Sequence, residues 1–356
     1  MTLPLDKHID TRVLAQIYNN TTATYKFYWF ISLLNVFVKT GKRQISFWEI
    51  IVGMIAEAWY PIHYFRLSFG KSDSLYSQII ELQKELNIPI DANKSDIKKQ
   101  IVNNIDNQRI KSLLRVFTLN VPYRFLSPWI SYTTDSEVVN LSQSFSNNCF
   151  YAIRNETIEI NPKWEQYLND NYLILRDFTF WNLTVFLQKR NPNVPDVPSK
   201  LLKPIQRDSL TKQRHFWDNF IEINGSIKCI YTGKTLFKKV YDLDHFVPWS
   251  FVSHNLLWNL LPADSSINSS KSNNLPPLET YLRPFAKTHQ KAIQTIYPKN
   301  PNNKLLEDYL ILHNSLSELV QLSENDFFNV YQKTFSPLVQ IAENMGFRYW
   351  QTSLTQ

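Results

Sequence analysis

The chain has 356 residues, 44% hydrophobic and 14% aromatic, so it can bury a substantial core and fold unaided. Its two cysteines, Cys149 and Cys229, lie far apart, which excludes a disulfide framework and a conventional four-cysteine zinc site and favours a reducing, intracellular compartment. The net charge of +7 is compatible with a polyanionic partner but does not identify one.

The first residues, MTLPLDKHIDTRVL, contain no apolar stretch after a basic start, so the sequence predicts no secretory signal and a cytoplasmic location. The most apolar run, YKFYWFISLLNVFV at 25–38, is shorter than the roughly 20 residues of a membrane span and contains Lys26 and Asn35. We therefore predict a buried helix there and no membrane partner.

Residues 10–135 are predicted to be mainly helical, because apolar residues recur there at three- and four-residue spacing. Ser95 or Asp96 is predicted to cap the helix over IKKQIVNNI. Between 148 and 161, short alternation around a polar centre predicts a β-hairpin, and a further helical pattern follows over 164–190.

The segment NPNVPDVPSKLLKP, residues 191–204, contains four prolines and turn-forming Asn and Asp. We predict that it runs extended over the surface, because proline cannot continue either neighbouring helix. The domain boundary is placed there, between a mainly helical domain over 1–190 and a second domain over 205–350.

The second domain is predicted to combine short strands with helices. In chain order the pattern predicts a helix over SLTKQRHFWDNFIEI, strands around KCIYTG and KKVYDLDHF, a loop, a helix over ADSSINSSK, and helices up to GFRYW. The predicted fold class of the chain is therefore α+β and mostly α-helical.

Polar side chains stand within an apolar frame in DLDHFVPWSFVSHNLLWNLLPADSSINSSKSN, residues 242–273. Phosphodiester hydrolysis requires a base for water, a divalent cation at the phosphoryl and leaving oxygens, and oxygen ligands for that cation. His245 is a candidate base, because the usual pKa of imidazole is about 6.5. The Asp244 carboxylate and the Asn268 carbonyl suit Mg²⁺ better than Zn²⁺.

The Asp-His pair also constrains the local backbone. In a regular strand Asp244 and His245 point to opposite faces, so we predict that the strand ends or bends at this pair. Pro248 supports an early end, because it cannot donate to a ladder.

A helix that starts near Ala263 carries Asp264, Asn268 and Lys271 on one face, at i, i+4 and i+7. Asp264 lies where a negative charge stabilises a helix N-terminus. This face can present Asn268 to a metal ion and Lys271 to a phosphate group. A solvated Lys271 without a phosphate contact is the other interpretation.

The segments CIYTGK, DLDHFVPWSF and WNLLPADSSINSSKSNNLP resemble the HNH, or ββα-metal, endonuclease motif. The likeness is greatest to the HNH domain of CRISPR RNA-guided nucleases, because Asn259 follows His245 by 14 residues and Asn268 follows it by 23. The resemblance covers residues 225–280. A weaker likeness to HNH proteins of bacterial defence and restriction loci extends over the flanking helices.

The resemblance implies that His245 is the general base, that Asp244 and Asn268 bind Mg²⁺ or Mn²⁺, and that Asn259 braces the loop by hydrogen bonds. It also implies cleavage of DNA to 5′-phosphate and 3′-hydroxyl ends. Asn268 stands at the final His position of the motif, which favours Mg²⁺ over Zn²⁺ or Ni²⁺. Many HNH proteins have paired CxxC motifs that bind a structural zinc ion. This sequence has only Cys229 in that region, so no structural zinc is expected.

We therefore predict a C-terminal HNH endonuclease domain over 205–350, with its ββα core at about 225–280 and helices after it. The N-terminal domain is expected to select the target or to dock a protein partner. Two alternatives stay open: a nucleic-acid-binding module that keeps the fold without cutting, and an RNA-cleaving nuclease. A role in restriction or phage defence rests on the family likeness alone.

Four further residues near the motif are given structural interpretations. Asp242 is expected to pair with a lysine or water rather than with the ion. His254 is interpreted as a solvated or capping loop residue rather than a ligand. Tyr231 and Trp258 are predicted to be core residues rather than platforms for nucleic-acid bases.

Overall fold

The structure is a computed structural model that describes residues 2–202 and 208–351. The end of the predicted linker, 203–204, and the start of the predicted second domain, 205–207, lie outside the described residues. Most described residues are helical and the sheets are small, which confirms the predicted α+β, mostly α-helical class. No helix among the described residues is both long and apolar enough to cross a membrane.

The chain divides into two compact units. The N-terminal unit contains Met1–Pro192 and Val197–Lys203, and the C-terminal unit contains Asn193–Asp196 and Pro204–Gln356. Cys149 in the first unit and Cys229 in the second are both buried and free.

The N-terminal unit consists of helices around one three-stranded antiparallel sheet, in which β3 lies between β1 and β2. Its elements are α1 (Thr11–Ala15), α2 (Tyr25–Thr40), β1 (Gln44–Ser46), α3 (Phe47–Trp59), α4 (Ser74–Leu86), α5 (Lys94–Asn103), α6 (Gln108–Arg115), α7 (Val121–Arg124), α8 (Asp135–Gln143), β2 (Tyr151–Arg154), β3 (Thr157–Ile160), α9 (Pro162–Gln188) and α10 (Val197–Leu202).

Helix α2 is the buried helix that the apolar run predicts, and it packs against α3 and α9. Its close approach to α3 depends on Gly53, because a Cβ atom there would overlap Ser32 Oγ. Ser32 Oγ instead donates a hydrogen bond to the carbonyl of Ile50 at 2.7 Å. The helix ends at Gly41, whose φ of 66° allows its amide to bond back to Phe37.

Three local predictions for this unit have different outcomes. The hairpin within 148–161 is confirmed by strands β2 and β3. The predicted cap of α5 is wrong: Asn93 occupies the cap position, and its side chain accepts from the amide of Asp96 at 2.9 Å. Strand β1 is missed, because three residues with one buried side chain carry too little alternation to indicate a strand.

The predicted extended course of 191–204 is wrong for Val197–Leu202, which form α10. Pro198 is the second residue of that helix, and amides of a first helical turn have no intrahelical partner to lose. Burial of Val197 and Leu201 stabilises the turn against the N-terminal unit.

The C-terminal unit combines two small antiparallel sheets with long helices, and its elements begin after the undescribed residues. They are α11 (Thr211–Asn224), β4 (Ile227–Lys228), β5 (Thr235–Leu236), β6 (Asp242–His245), α12 (Trp249–Val252), β7 (Leu260–Ala263), α13 (Ser265–Lys271), α14 (Leu278–Ile296), α15 (Leu316–Gln321) and α16 (Glu324–Asn344). Strand β4 pairs with β5, and β6 pairs with β7.

Strand β7 lies in a segment that the sequence predicts as a loop. Pro262 argues against a strand, yet it pairs with Leu243 of β6 in the antiparallel register. In a two-stranded sheet each strand has an open edge, so the missing proline amide can face away from the ladder. The order β6, β7, α13 gives the ββα arrangement.

An aromatic core holds this arrangement against the long helices. Phe246, directly after β6, stacks on Phe285 of α14 with ring centroids 4.1 Å apart. Trp258, which is buried, meets Phe335 of α16 edge-on at 5.2 Å. The loop that follows the Asp-His pair is therefore anchored in the core at Phe246 and at Trp258.

Candidate active site

Strand β6 ends at His245, as the Asp-His pair predicts. Asp244 and His245 are both buried, and both line one cavity of about 230 Å³. Asn268 of α13 lines the same cavity. The end of the sheet and one face of the following helix thus bring three of the predicted site residues together.

Asp244 is held through both carboxylate oxygens. The Tyr231 hydroxyl donates to Oδ2 at 2.7 Å, and Lys271 Nζ donates to Oδ1 at 3.1 Å. Burial, followed by the charge of Asp244, raises the pKa of the Tyr231 hydroxyl well above its usual value, so that hydroxyl remains a donor. The carboxylate therefore has a fixed orientation before any ion binds.

Lys271 differs from both interpretations of the sequence. Its side chain is 0% exposed, and Nζ also donates to the backbone carbonyl of His245 at 2.7 Å. Burial lowers the pKa of this ammonium, whereas the neighbouring Asp244 charge acts in the opposite direction. The ammonium is enclosed rather than solvated, and it has no exposed surface from which to contact a phosphate group.

The orientation of the His245 ring is linked to Asn255. Asn255 Nδ2 donates to the carbonyl of Asp208 at 3.2 Å, so its Oδ1 is the atom that faces His245 Nε2 at 2.9 Å. An amide oxygen only accepts, so Nε2 carries the hydrogen and donates it. In the neutral ring the lone pair is then on Nδ1.

Asn259, for which the sequence predicts a bracing role, is fully buried next to this loop. Its Oδ1 accepts from the amide of Val247 at 2.9 Å, and its Nδ2 donates to the carbonyl of Val247 at 2.9 Å. Its own carbonyl accepts from the amide of Phe246 at 2.8 Å. The two residues after the Asp-His pair are therefore fixed by a single asparagine.

Helix α13 places Asn268 beside the carboxylate. Asp264 caps the helix by accepting from the amide of Ser266 at 3.1 Å, which satisfies one of the free amides of the first turn. Within the described part of the chain, the half-buried side chain of Asn268 has no hydrogen-bond partner. Its amide oxygen is available to a ligand in the cavity.

The side chains around the cavity fit a hard divalent ion. Residues 2–202 and 208–351 contain no group of three His, Cys, Asp or Glu side chains arranged for a metal ion. Among the described lining residues, Asp244 and Asp208 carry carboxyl groups; the carboxylate of Asp244 and the amide oxygen of Asn268 are the predicted donors, and both suit Mg²⁺ or Mn²⁺ with water in the remaining positions.

Two neighbouring polar residues take no part in this donor set. Asp242 and His254 do not line the cavity. His254 Nδ1 accepts from the amide of Leu256 at 3.4 Å within its own loop.

Three contributions to the site are not evident from the sequence. Asn255 does not lie at a position of the motif, so the sequence does not predict its contact with His245. That contact exists because the loop turns Asn255 toward the His245 ring. Tyr231 and Lys271 are visible in the sequence, but their joint contact with Asp244 is a tertiary property. Tyr231 and Trp258 are both buried, in agreement with the predicted core role.

The C-terminal unit thus contains a strand pair followed by a helix, with an Asp-His pair at the strand end and an Asn on the helix. The family model of HNH endonucleases matches residues 229–277, which contain all of these elements. The C-terminal unit therefore carries a domain of the HNH endonuclease family.

The CRISPR-associated endonuclease Cas9 of Listeria innocua is 29% identical to this chain over 116 residues. The match covers 28% of this chain and 8% of that protein, so the chain spans a small part of its relative's length. No solved structure matches the chain.

Proposed function

We propose that the C-terminal unit is a metal-dependent endonuclease that hydrolyses DNA phosphodiester bonds and leaves 5′-phosphate and 3′-hydroxyl ends. The observation that carries this proposal is the shared cavity of His245, Asp244 and Asn268 inside the region that matches the HNH family. One base and two oxygen ligands face the same space, as metal-assisted hydrolysis requires.

Asp244 and Asn268 would hold Mg²⁺ or Mn²⁺. When bound, the ion neutralises negative charge on the phosphoryl and leaving oxygens. The contacts of Tyr231 and Lys271 keep the Asp244 carboxylate in one orientation, so little rearrangement is needed when the ligand set forms.

His245 acts as the general base through Nδ1, because Nε2 donates its hydrogen to Asn255. A water molecule transfers a proton to Nδ1 while its oxygen attacks phosphorus. The bond between phosphorus and the 3′ oxygen breaks, the phosphate remains on the 5′ side, and the leaving oxygen takes a proton from solvent. Asn259 contributes by holding the backbone that follows the base.

The test incubates the full chain with supercoiled plasmid, linear duplex, single-stranded DNA and RNA, in Mg²⁺, Mn²⁺ or EDTA. His245→Ala should lower the DNA cleavage rate by roughly 10²–10⁴-fold, the usual contribution of a general base. His254→Ala is the matched control and should cleave like wild type, because His254 lies outside the cavity.

Four outcomes contradict the proposal. Cleavage in EDTA excludes the metal, and undiminished cleavage by His245→Ala excludes the base. Tight binding of DNA without cleavage identifies a binding module, and cleavage of RNA alone identifies a ribonuclease.

We also propose that the N-terminal unit selects the DNA target or docks a protein partner, and that the enzyme acts in restriction or phage defence. The likeness to HNH proteins of bacterial defence loci supports this setting. Two free cysteines are compatible with the reducing cytoplasm. A plaque assay that compares wild type with His245→Ala tests the biological role, because protection that survives the substitution cannot depend on cleavage.

A further inference from the structure

The N-terminal unit contains a cavity of about 410 Å³, remote in sequence from the HNH region. It is lined by the segment before α2 and the start of α2, by residues before and at the start of α4, and by the chain from 116 to 132 that includes α7. Ligand pockets of small molecules have volumes of roughly 300–1,000 Å³. The cavity is therefore large enough for one small ligand.

Two cations, Lys26 and Arg124, line this cavity. Lys26 Nζ donates to the carbonyl of Ile17 at 3.2 Å but makes no ion pair with any described residue. The guanidinium of Arg124 has neither a hydrogen bond nor an ion pair with the described part of the chain. Burial, and then the charge of Arg124, lowers the pKa of Lys26, so the two positive charges repel each other.

The protein itself does not neutralise this pair. No carboxylate lines the cavity among the described residues. The nearby Asp73 is occupied, because its Oδ2 accepts from the amide of Thr24 at 2.6 Å and its Oδ1 from the amide of Leu75 at 3.0 Å. An anion in the cavity would remove the repulsion between the two cations.

We propose that this cavity binds a small phosphate-bearing molecule, specifically a nucleotide. Arg124 offers the planar guanidinium that suits a phosphate oxygen pair, and Lys26 adds a point charge. The hydroxyl group of Ser72 lines the same space as a further donor. The half-buried ring of Tyr132, also in the lining, offers a face for a base.

A polynucleotide fits this site less well than a nucleotide. Single strands are bound along grooves that follow the backbone over several nucleotides. Here the uncompensated charge is concentrated in Lys26 and Arg124 within one recess. The inference concerns a site outside the HNH domain and does not depend on the nuclease proposal.

Isothermal titration calorimetry of the full chain tests the site with ATP, AMP, inorganic phosphate, adenosine and a single-stranded oligonucleotide as separate probes. ATP or AMP should bind, and adenosine should bind at least about tenfold more weakly, because it lacks the charge. Arg124→Ala should weaken nucleotide binding by about tenfold or more. Arg109→Ala removes an exposed arginine of the same unit outside the cavity and should leave the affinity unchanged.

Arg124 is exposed, so its alanine variant is expected to fold. Lys26→Met, which keeps the apolar stem, provides a second variant, and its folding is checked by circular dichroism. Failure of wild type to bind either nucleotide, or equal affinity of Arg124→Ala and wild type, overturns the proposal. It is also overturned when the oligonucleotide alone binds in an Arg124-dependent manner, since that identifies a nucleic-acid surface.

Discussion

The side-chain amide of Asn259 forms two hydrogen bonds with the backbone of Val247: Oδ1 accepts from the Val247 amide and Nδ2 donates to the Val247 carbonyl, both at 2.9 Å. Val247 is the second residue after His245, and the bonds close the turn that leaves β6. Both backbone groups are buried, so no water replaces Asn259 without rearrangement. One side chain thus fixes the backbone at the proposed base.

Asn259→Ala should destabilise the C-terminal unit, because it leaves both backbone groups of Val247 without partners. The expected cost is roughly 1–3 kcal/mol for each unsatisfied buried group. Urea unfolding, followed by hydrogen exchange of peptides from each unit, measures it. Asn300→Ala, at an exposed position, should stay within about 0.5 kcal/mol of wild type. Equal free energies of unfolding for Asn259→Ala and Asn300→Ala would show that the hydrogen bonds between Asn259 and Val247 are not required for stability.

Asn268→Ala, unlike Asn259→Ala, is expected to lower activity without lowering stability. The Asn268 side chain has no partner in the described structure, so Asn268→Ala should change the free energy of unfolding by less than about 0.5 kcal/mol. We propose that it nevertheless supplies a metal ligand, so the variant should bind Mn²⁺ more weakly and cleave DNA at least about tenfold more slowly. Electron paramagnetic resonance of free Mn²⁺ measures the affinity directly.

Asn268→Asp distinguishes a ligand role from a purely local effect, because it restores an oxygen donor at the same position. It should recover Mn²⁺ binding relative to Asn268→Ala. Ser270→Ala, at an exposed residue of α13 that does not line the cavity, serves as the control for changes in the helix itself. Unchanged Mn²⁺ affinity in Asn268→Ala would remove Asn268 from the ligand set.

Tyr231→Phe should loosen the Asp244 carboxylate without removing an aromatic ring from the core. The lost hydrogen bond is to a charged group, so the expected cost is about 1.5–3 kcal/mol. Tyr281→Phe is the matched control, because Tyr281 packs against Tyr231 with ring centroids 5.1 Å apart and makes no hydroxyl contact with Asp244. The unfolding temperature and the DNA cleavage rate should both fall for Tyr231→Phe. Both should stay at the wild-type values for Tyr281→Phe.

The sequence carries most of the information for the chemistry of this site. The positions of His245, Asn259 and Asn268 can be predicted from their spacing, because each residue lies on a locally determined element. These elements are a strand end, a turn closed by hydrogen bonds and a capped helix. Asp264 is a strong capping residue before a polar helix, so the start of α13 is also readable.

The remaining features depend on tertiary contacts. The sequence leaves Lys271 either in contact with a phosphate group or solvated, and only packing of α13 against β6 encloses it beside Asp244. Pro262 argues against a strand, and only the partner β6 reveals one. The linker helix at Val197–Leu202 is similar, because burial of its apolar side overrides the turn signals of its prolines.

Lys271 also gives the stability of the C-terminal unit a specific pH dependence. Burial lowers the pKa of this ammonium in the folded chain, so the unfolded chain binds more protons over the interval below its own pKa of about 10.4. The contribution of Lys271 to stability therefore rises as pH increases through that interval, and it is smallest where the folded ammonium is fully protonated. Lys271→Met abolishes this contribution and leaves Asp244 buried without its cation, at a cost of about 3–5 kcal/mol.

The free energy of unfolding of wild type minus that of Lys271→Met should accordingly be positive at pH 7 and increase as the pH rises toward the unfolded-state pKa of about 10.4. The difference cancels the titration of residues that do not contact the Asp244–Lys271 pair, such as Tyr241, whose raised pKa acts with the opposite sign at high pH. Urea unfolding at several pH values measures it. Lys234→Met removes an exposed lysine that pairs with Asp264, and it should cost no more than about 1 kcal/mol. Parallel stability curves for wild type and Lys271→Met would show that the pKa of Lys271 is not lowered by folding.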